Sequence, residues 1–426
     1  PSPSPGNVTP TTRTAGLLAA AALGALVLPP ALAALIALGV LAAAAADAWS
    51  VRHPPVLALD RPVALSRGVA ASFTCGQRPR GPGRSRLRQP VPADMALTPS
   101  EGFDLLEGTI VARRRGRHTL PRMAIRRDGP LRLGSWYHRV GEEAEVLVFP
   151  DLHAARRLAI AVRRGRFAQQ GRIARGPLGL GTDFESIRDY LPDDDIRSVN
   201  WSATARLGRP MSNRYRIESD RDIVCVVDCG RLMAAPSGDI SAMHTRLDAA
   251  IDAVAAVALV ADEAGDRCGA LAFDAAVLRA LRPRRSGGDA VVQALFDLEP
   301  ASVDSDYELA FRSLGEAKRA LVIVFTDVIE PVAARPLVDA LGPLARKHAV
   351  VVAFATDKGL TDRAAHPPAS PLDVYRASAA VAAIEDRRQV SALLRSTGAE
   401  VVEAPPGALG AASVAAYLRA KAKARL

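Results

Sequence analysis

The 426-residue chain has few cysteines and few aromatic residues, and it lacks the motifs of common enzyme families. Four cysteines are too few to form a disulfide scaffold in a chain of this length. Neither a dinucleotide-binding fingerprint nor a Walker A loop is present, and no histidine belongs to a nucleophile motif such as G-x-S-x-G. We therefore expect a protein that is not an enzyme and uses no cofactor. With 49% apolar and 23% charged residues, the chain can form two or three folded domains.

The net charge of +10 is concentrated in one half of the chain. Residues 51–217 contain 30 basic and 16 acidic residues, net +14, whereas residues 218–426 contain 24 and 28, net −4. We expect no nucleic-acid binding, because the positive charge is confined to one half and no aromatic residue interleaves with the basic run 113–117. This run is interpreted as a solvated strand end, with contact to anionic lipid or nucleic acid as the alternative.

Residues 15–46 contain no charged side chain, which makes this segment a candidate for crossing a membrane. We favour a helical hairpin within residues 15–50, with helices over 15–28 and 31–46 that turn at Pro29 and Pro30, after a tail over residues 1–14. A single kinked span and a signal peptide are the alternatives. Fourteen helical residues reach only about 21 Å into a hydrocarbon core of roughly 30 Å, which counts against the hairpin. Adjacent prolines remove two backbone donors, which counts against one continuous helix.

Arginines flank the apolar segment on both sides, at Arg13, Arg52, Arg61 and Arg67. The positive-inside rule then places the remainder of the chain in the cytoplasm, next to an anionic leaflet. A reducing compartment agrees with the cysteines, because three of them lie in apolar segments where free thiols commonly pack: Cys225, Cys229 and Cys268. We therefore expect a plasma-membrane protein with cytoplasmic soluble domains.

Residues 54–150 show short alternating stretches separated by proline and glycine, without a helical period. Strands are predicted over residues 56–59, 70–74, 108–113, 118–125 and 144–149. This spacing predicts a small antiparallel, β-sandwich-like domain.

Residues 218–426 alternate apolar strands with helical segments, which predicts an α/β domain with an open, mostly parallel sheet and helices on both faces. Strands are predicted over residues 222–228, 268–273, 276–281, 320–326, 349–355 and 400–403. Helices are predicted over residues 242–264, 290–298, 306–317, 332–347 and 376–396, and from residue 409 onward.

Carboxylates stand where two of these strands end, with Asp228 after the strand 222–228 and Thr326-Asp327 at the end of the strand 320–326. Ligands of open α/β sheets bind beyond the carboxyl ends of the strands. The arrangement resembles the von Willebrand factor A fold, whose metal-dependent adhesion site uses a D-x-S-x-S loop, a threonine and a second aspartate. Gly230 and Leu232 stand here in place of the two serines.

This departure bears on metal binding at Asp228, Thr326 and Asp327. Mg²⁺ takes six well-placed oxygen ligands, so the loss of two hydroxyls weakens the site, and Ser305 matches the threonine position only loosely. We expect no bound Mg²⁺, with Asp228 capping the following backbone and Asp327 lying in a turn. A divalent-metal-dependent adhesion domain that binds another protein is the alternative function.

Residues 181–228 form the most specific stretch of the sequence. Six carboxylates crowd residues 183–195, and arginines lie among them and after them. Because like charges at this density are unfavourable unless paired, we expect a network of carboxylates and guanidiniums. A hydrolase that uses two of these carboxylates is a further alternative, although a charged connecting loop explains the same cluster. Trp201 is expected to bury its ring at this junction.

This stretch resembles the signature of the domain of unknown function 58 family, bacterial proteins often found beside MoxR-type AAA+ ATPases. The residues assigned to the signature are Asp183, Phe184, Arg188, Tyr190, Pro192, Asp194, Asp195, Arg197, Asn200, Trp201 and Arg206. Asp183 and Asp193 replace a glutamate and a glycine of the family pattern. The predicted order also resembles that family: paired membrane helices, a β domain over 54–150, a linker with the signature over 151–217, and a von Willebrand factor A-like domain over 218–426.

The resemblance implies a bacterial inner-membrane protein that acts with a MoxR-type AAA+ ATPase in assembling or remodelling client proteins. We therefore predict a membrane-anchored, non-enzymatic protein-interaction module.

Overall fold

The computed structural model describes residues 8–77, 83–164, 183–191, 198–216, 221–237, 244–315 and 319–422. The chain divides into two compact units, Pro1–Val148 and Phe149–Leu426.

The first unit begins with strand β1 (Val8–Pro10) and two apolar helices, α1 (Thr12–Gly24) and α2 (Pro30–Ser50), which pack against each other. Helix α2 begins with proline, which has no backbone N–H. The first N–H groups of a helix have no partner within the helix, so proline is well tolerated there. Among the described residues, α2 is the one helix long and apolar enough to cross a membrane, with a mean hydropathy of 2.1. Ten large apolar side chains between Leu17 and Leu41 are 40–89% exposed.

The remainder of the first unit consists of strands β2 (Leu57–Asp60), β3 (Ala64–Ser66), β4 (Ala71–Gln77), β5 (Arg84–Arg88), β6 (Met95–Thr98), β7 (Glu101–Phe103), β8 (Leu105–Ala112), β9 (Gly116–Leu120), β10 (Met123–Asp128), β11 (Gly134–Val140) and β12 (Ala144–Phe149). They form sheets ordered β1-β11-β10-β5-β7, β2-β4-β8-β6 and β3-β12-β9. Apolar side chains from these sheets share one core. The antiparallel architecture predicted for this region is confirmed.

Two predictions for this unit are wrong in detail. The single strand predicted over residues 118–125 is two strands, β9 and β10, which belong to different sheets. Pro121 lies between them and lacks the N–H that a continuous ladder would need. The basic run 113–117 is not uniformly solvated either, because Arg115 is 1% exposed.

The second unit contains helix α3 (Leu152–Arg163), the antiparallel strands β13 (Asp183–Asp189) and β14 (Met211–Arg216), and between these strands helix α4 (Trp201–Leu207). The main sheet and its helices follow as β15 (Asp222–Asp228), a 3₁₀ turn (Arg231–Ala234), α5 (Arg246–Glu263), β16 (Arg267–Phe273), β17 (Val277–Arg284), α6 (Gly288–Leu295), α7 (Tyr307–Arg312), β18 (Leu321–Phe325), α8 (Pro331–Lys347), β19 (Ala349–Ala355), α9 (Lys358–Ala365), α10 (Pro371–Ser396), β20 (Glu400–Ala404) and α11 (Pro406–Ala422).

The six-stranded sheet has the order β17-β16-β15-β18-β19-β20, and every pairing is parallel except that of β16 with β17. The mostly parallel sheet predicted from the sequence is confirmed. Helices α3, α5, α6 and α11 cover one face, and α7, α8 and α10 cover the other. Helix α3 thus packs in the core, although it lies within the segment that the sequence assigned to a linker. All four cysteines are buried free thiols, as expected for the three in this unit.

Candidate functional site

The carboxyl ends of β15 and β18 meet at one edge of the main sheet. The two strands run parallel with Val227 opposite Phe325, so the residues that follow them are neighbours. Asp228 and Asp327 are each 1% exposed, and Thr326 is 2% exposed. The structure therefore brings these three sequence-predicted residues together in a buried polar cluster, which we call the edge site.

Both carboxylate oxygens of Asp228 accept hydrogen bonds from the protein. Oδ1 accepts from the Gly230 N–H at 2.8 Å and the Ser305 hydroxyl at 2.5 Å. Oδ2 accepts from the Tyr307 hydroxyl at 2.8 Å and the Thr326 hydroxyl at 2.7 Å. Burial, and then the Asp228 charge, raises the pKa of Tyr307 well above its ordinary value, so its hydroxyl keeps its proton at neutral pH. Four donors fill the lone-pair positions of a carboxylate and leave none for a cation.

Gly230 stands where the adhesion motif has its first serine, and the packing explains the difference. A Cβ at this position would lie 2.1 Å from Ser305 Oγ. A serine at 230 is therefore incompatible with the bond between Ser305 and Asp228. Leu232, at the position of the second serine, packs against the apolar core instead.

Asp327 lies between two buried arginines from distant helices. Arg387 Nη2 donates to its Oδ1 at 2.6 Å, and Arg246 forms an ion pair with its Oδ2. Arg246 is 9% exposed and Arg387 is 8% exposed. Burial, and then the charge of Arg387, lowers the pKa of Arg246 to about 10, and burial also lowers the pKa of Arg387. Both guanidiniums remain charged at neutral pH and pair with the Asp327 carboxylate.

Local structure holds these two arginines in place. Arg246 is the first residue of α5, where a reciprocal cap joins Thr245 to Asp248: the Thr245 hydroxyl accepts the Asp248 N–H at 3.2 Å, and the Asp248 carboxylate accepts the Thr245 N–H at 2.8 Å. Arg387 also donates to the carbonyl of Ala355 at 2.9 Å. Sequence reasoning missed both arginines. The one usable signal was a basic residue at the start of a mostly apolar helix that has no other basic residue.

The edge site does not fit a divalent cation. Asp327 is already paired with two guanidiniums, and the oxygens of Asp228 are saturated by neutral donors. Among the described residues, no group of three His, Cys, Asp or Glu side chains could hold a metal ion. Arginines and hydroxyls thus occupy the carboxylate oxygens that a cation would need.

We expect divalent cations to leave the stability of the full chain unchanged. A ligand stabilises a protein only by binding its folded state, so melting temperatures measured in EDTA and in Mg²⁺ should agree within about 1 °C. Differential scanning fluorimetry in detergent measures both. A rise of several degrees in Mg²⁺ that follows a saturation curve would contradict this account.

The signature residues lie on a separate substructure formed by β13, α4 and β14. Asn200 caps α4, because its Oδ1 accepts the Ala203 N–H at 2.9 Å. Its Nδ2 donates to Asn213 of β14 at 2.7 Å. The helix ends at Gly208, whose φ of 65° favours glycine. Polar bonds thus fix this short helix on the hairpin.

Trp201 is 70% exposed, so the prediction that its ring is buried is wrong. Helix α4 faces β14 with Thr204, whose hydroxyl accepts the Met211 N–H at 3.0 Å, and the indole lies away from that contact in solvent. Three further apolar side chains of the substructure are 41–56% exposed. Together with Trp201 these exposed apolar side chains are what we call the signature patch: Ile187, Leu191, Trp201 and Leu207.

The remaining signature residues are partly described. Asp189 forms an ion pair with Arg209 at 3.3 Å, one pair of the predicted charge network. Arg188 donates to the carbonyl of Asp189, the N–H of Tyr190 donates to Pro210, and Arg206 is exposed. Four signature residues lie outside the described part of the chain: Pro192, Asp194, Asp195 and Arg197. For Asp183 and Phe184 the structure describes the strand that carries them.

Comparison with known proteins gives a family for this region. Residues 186–363 match the family model described as "Protein of unknown function DUF58". Uncharacterized proteins of Mycobacterium tuberculosis and Mycobacterium bovis are 27% identical over 161 residues, which cover 36% of this chain. The matched region spans about half (49%) of the length of these curated relatives.

Proposed function

Since the chain carries a DUF58 family domain over residues 186–363, we propose that it is a membrane-anchored, non-enzymatic protein-interaction module. The exposed indole of Trp201 carries this proposal. Tryptophan is enriched among the residues that dominate binding energy at protein interfaces, and grouped exposed apolar side chains mark such surfaces. The signature patch is therefore the surface that we assign to the partner.

The proposed partner is a MoxR-type AAA+ ATPase, with which the protein would assemble or remodel client proteins. The resemblance of the signature supports this choice of partner. The edge site supports a non-enzymatic role, because its carboxylates are held by internal hydrogen bonds and ion pairs rather than directed at a substrate.

We further propose that the second unit is von Willebrand factor A-like. The strand order, with buried carboxylates beyond β15 and β18, supports this description. Replacement of a metal by Arg246 and Arg387 would give an interaction domain that needs no divalent cation. The first unit would be β-sandwich-like, because its antiparallel sheets share one core.

We propose that α1 and α2 form a hairpin in the bacterial inner membrane. Strand β1 precedes α1 and pairs with β11, with Val8 opposite Trp136. The chain would therefore enter and leave the membrane on the same side, which favours the hairpin over a single kinked span. A cleaved signal peptide would not supply a strand to the mature sheet. The flanking arginines support a cytoplasmic location for that side.

Replacing Trp201 with alanine should reduce recovery of the AAA+ ATPase at least about tenfold, because truncation of an interface tryptophan commonly costs 2 kcal/mol or more. The measurement is quantitative co-purification from detergent extracts under nucleotide-trapped conditions. Tyr375→Ala is the matched control, since this aromatic residue is 78% exposed on α10 of the same unit.

Recovery that stays equal for wild type and Trp201→Ala would remove the signature patch from the account. Absence of the ATPase from the wild-type sample would remove the proposed partner. An equal loss in Tyr375→Ala would indicate a general effect of aromatic truncation.

A further inference from the structure

An arginine-lined pocket opens on the five-stranded sheet of the first unit. It has a volume of about 230 Å³ and is lined by Arg84, Arg86, Phe103, Arg126, Asp128 and Arg132. Strands β5 and β10 place Arg86 directly opposite Arg126. Like charges in directly opposed positions of a sheet are unfavourable unless an anion compensates them. The pairing therefore concentrates positive charge at this pocket.

The carboxylates near the pocket do not balance its charge. Arg126 Nε lies 3.0 Å from Asp128, and Arg86 pairs with Glu101. Arg84 lies 3.7 Å above the ring of Phe103. Within the described ranges, neither Arg84 nor Arg132 forms an ion pair with a carboxylate. Four guanidiniums face two carboxylates, so two positive charges remain for a ligand.

The pocket lies at the base of the apolar helices. Arg132 belongs to the loop that joins β10 to β11, and its carbonyl accepts the Thr11 hydroxyl at 2.5 Å, directly before α1. Asp47, in the last turn of α2, accepts three backbone N–H groups from this loop at 2.8–3.1 Å: those of Leu131, Leu133 and Gly134. The loop is therefore fixed to both helices.

The helix geometry gives the depth of this loop relative to a bilayer. Leu41 is the last exposed large apolar residue of α2 before its final two turns. Asp47 follows six positions later, which corresponds to about 9 Å along the helix. The polar headgroup region of one leaflet is roughly 5–8 Å thick. With Leu41 at the edge of the hydrocarbon, Asp47 and its loop lie at about the outer boundary of the headgroup region.

Other side chains at this level are typical of a membrane interface. Trp49 is 59% exposed, and the Arg52 guanidinium lies 4.7 Å above its ring. Leu131, next to Arg132 in the loop, is 62% exposed. Tryptophan and arginine are characteristic of the boundary between lipid and water.

We propose that this pocket binds the phosphate of an anionic phospholipid headgroup. Arginine binds phosphate through paired N–H donors, and the pocket offers two uncompensated guanidiniums near the outer boundary of the headgroup region. The inference rests on the proposed membrane anchoring and adds a specific lipid site to it. A free phosphate ion shares the chemistry, and the experiment separates the two sources.

The test uses the full chain in detergent with three soluble probes: dihexanoyl phosphatidylglycerol, dihexanoyl phosphatidylcholine and inorganic phosphate. Phosphatidylglycerol should raise the melting temperature with saturation, and phosphatidylcholine should not. Stabilisation by inorganic phosphate equal to that by phosphatidylglycerol would overturn the lipid assignment. Equal responses to both lipids, or no response, would overturn the site.

Paired variants locate the effect. Arg84→Gln combined with Arg132→Gln should raise the half-maximal phosphatidylglycerol concentration at least about tenfold. Arg139→Gln, an exposed arginine of β11 outside the pocket, should leave it unchanged. Both variants should melt like wild type without lipid, which shows that they fold. An equal loss in Arg139→Gln would indicate non-specific attraction and overturn the proposal.

Membrane extraction distinguishes a failure of the proposed membrane anchoring from a failure of the lipid site. A chain that a high-salt wash releases from membranes would refute the proposed anchoring. A chain that needs detergent for release, yet shows no preference for phosphatidylglycerol, would refute the lipid site alone.

Discussion

Replacing Asp327 with asparagine is expected to lower the free energy of unfolding of the second unit by about 3–5 kcal/mol. Asparagine keeps the shape of the side chain but removes the charge that neutralises Arg246 and Arg387. These guanidiniums would remain buried side by side without the carboxylate that contacts both of them. The melting temperature should fall by roughly 6–20 °C, which scanning fluorimetry of the full chain measures.

Two further variants test the cause of this loss. Asp274→Asn makes the same change directly after β16, where the half-buried carboxylate accepts the N–H of Ala276 and pairs with no described arginine, and it should cost under about 1 kcal/mol. Adding Arg387→Met to Asp327→Asn should recover part of the lost stability, because it removes one uncompensated charge. The pairing of Asp327 with the two arginines would be contradicted if Asp327→Asn lost no more stability than Asp274→Asn. It would also be contradicted if adding Arg387→Met lowered the stability further.

Replacing Asp228 with asparagine is expected to lower the free energy of unfolding by about 2–4 kcal/mol. The carboxylate accepts four hydrogen bonds, and an amide would direct its NH₂ group at two of those donors. The loss should be the same in EDTA and in Mg²⁺, because the partners of Asp228 are protein groups.

The metal-dependent alternative predicts a different pattern for this variant. There, Asp228→Asn would destabilise the protein in Mg²⁺ and have little effect in EDTA. Melting curves of wild type and Asp228→Asn in both buffers therefore distinguish the two arrangements, and a loss confined to Mg²⁺ would contradict ours.

The fold was predictable where burial dominates the local sequence. The run at 222–228 is apolar because β15 is covered on both faces, and its predicted bounds agree with the structure. The β unit was less predictable. Strands such as β3 and β7 are three residues long, too short for alternation to be distinguished from loop sequence. At Pro121 the apolar pattern continues although the strand does not.

The edge site was predictable only in part. The parallel sheet predicts that the strand ends at Asp228 and Asp327 lie next to each other. It does not predict the partners that occupy these carboxylates, because Arg387 lies 60 residues from Asp327 within an ordinary charged stretch of α10. The exposure of Trp201 was missed for a similar reason. An aromatic residue in a charged segment suggests a buried ring. The structure shows instead that polar bonds of Asn200 hold α4 on the hairpin, so the indole of Trp201 is not needed for packing.

The central claim is that the signature patch contacts an AAA+ ATPase, and site-specific photocrosslinking in intact cells tests it most directly. Benzoylphenylalanine would replace Trp201 in one strain and Tyr375 in another, both exposed positions of the same unit. The account predicts a crosslink to the MoxR-type ATPase from position 201 and none from position 375. Crosslinks of equal yield from both positions, or an ATPase that crosslinks only at 375, would contradict it.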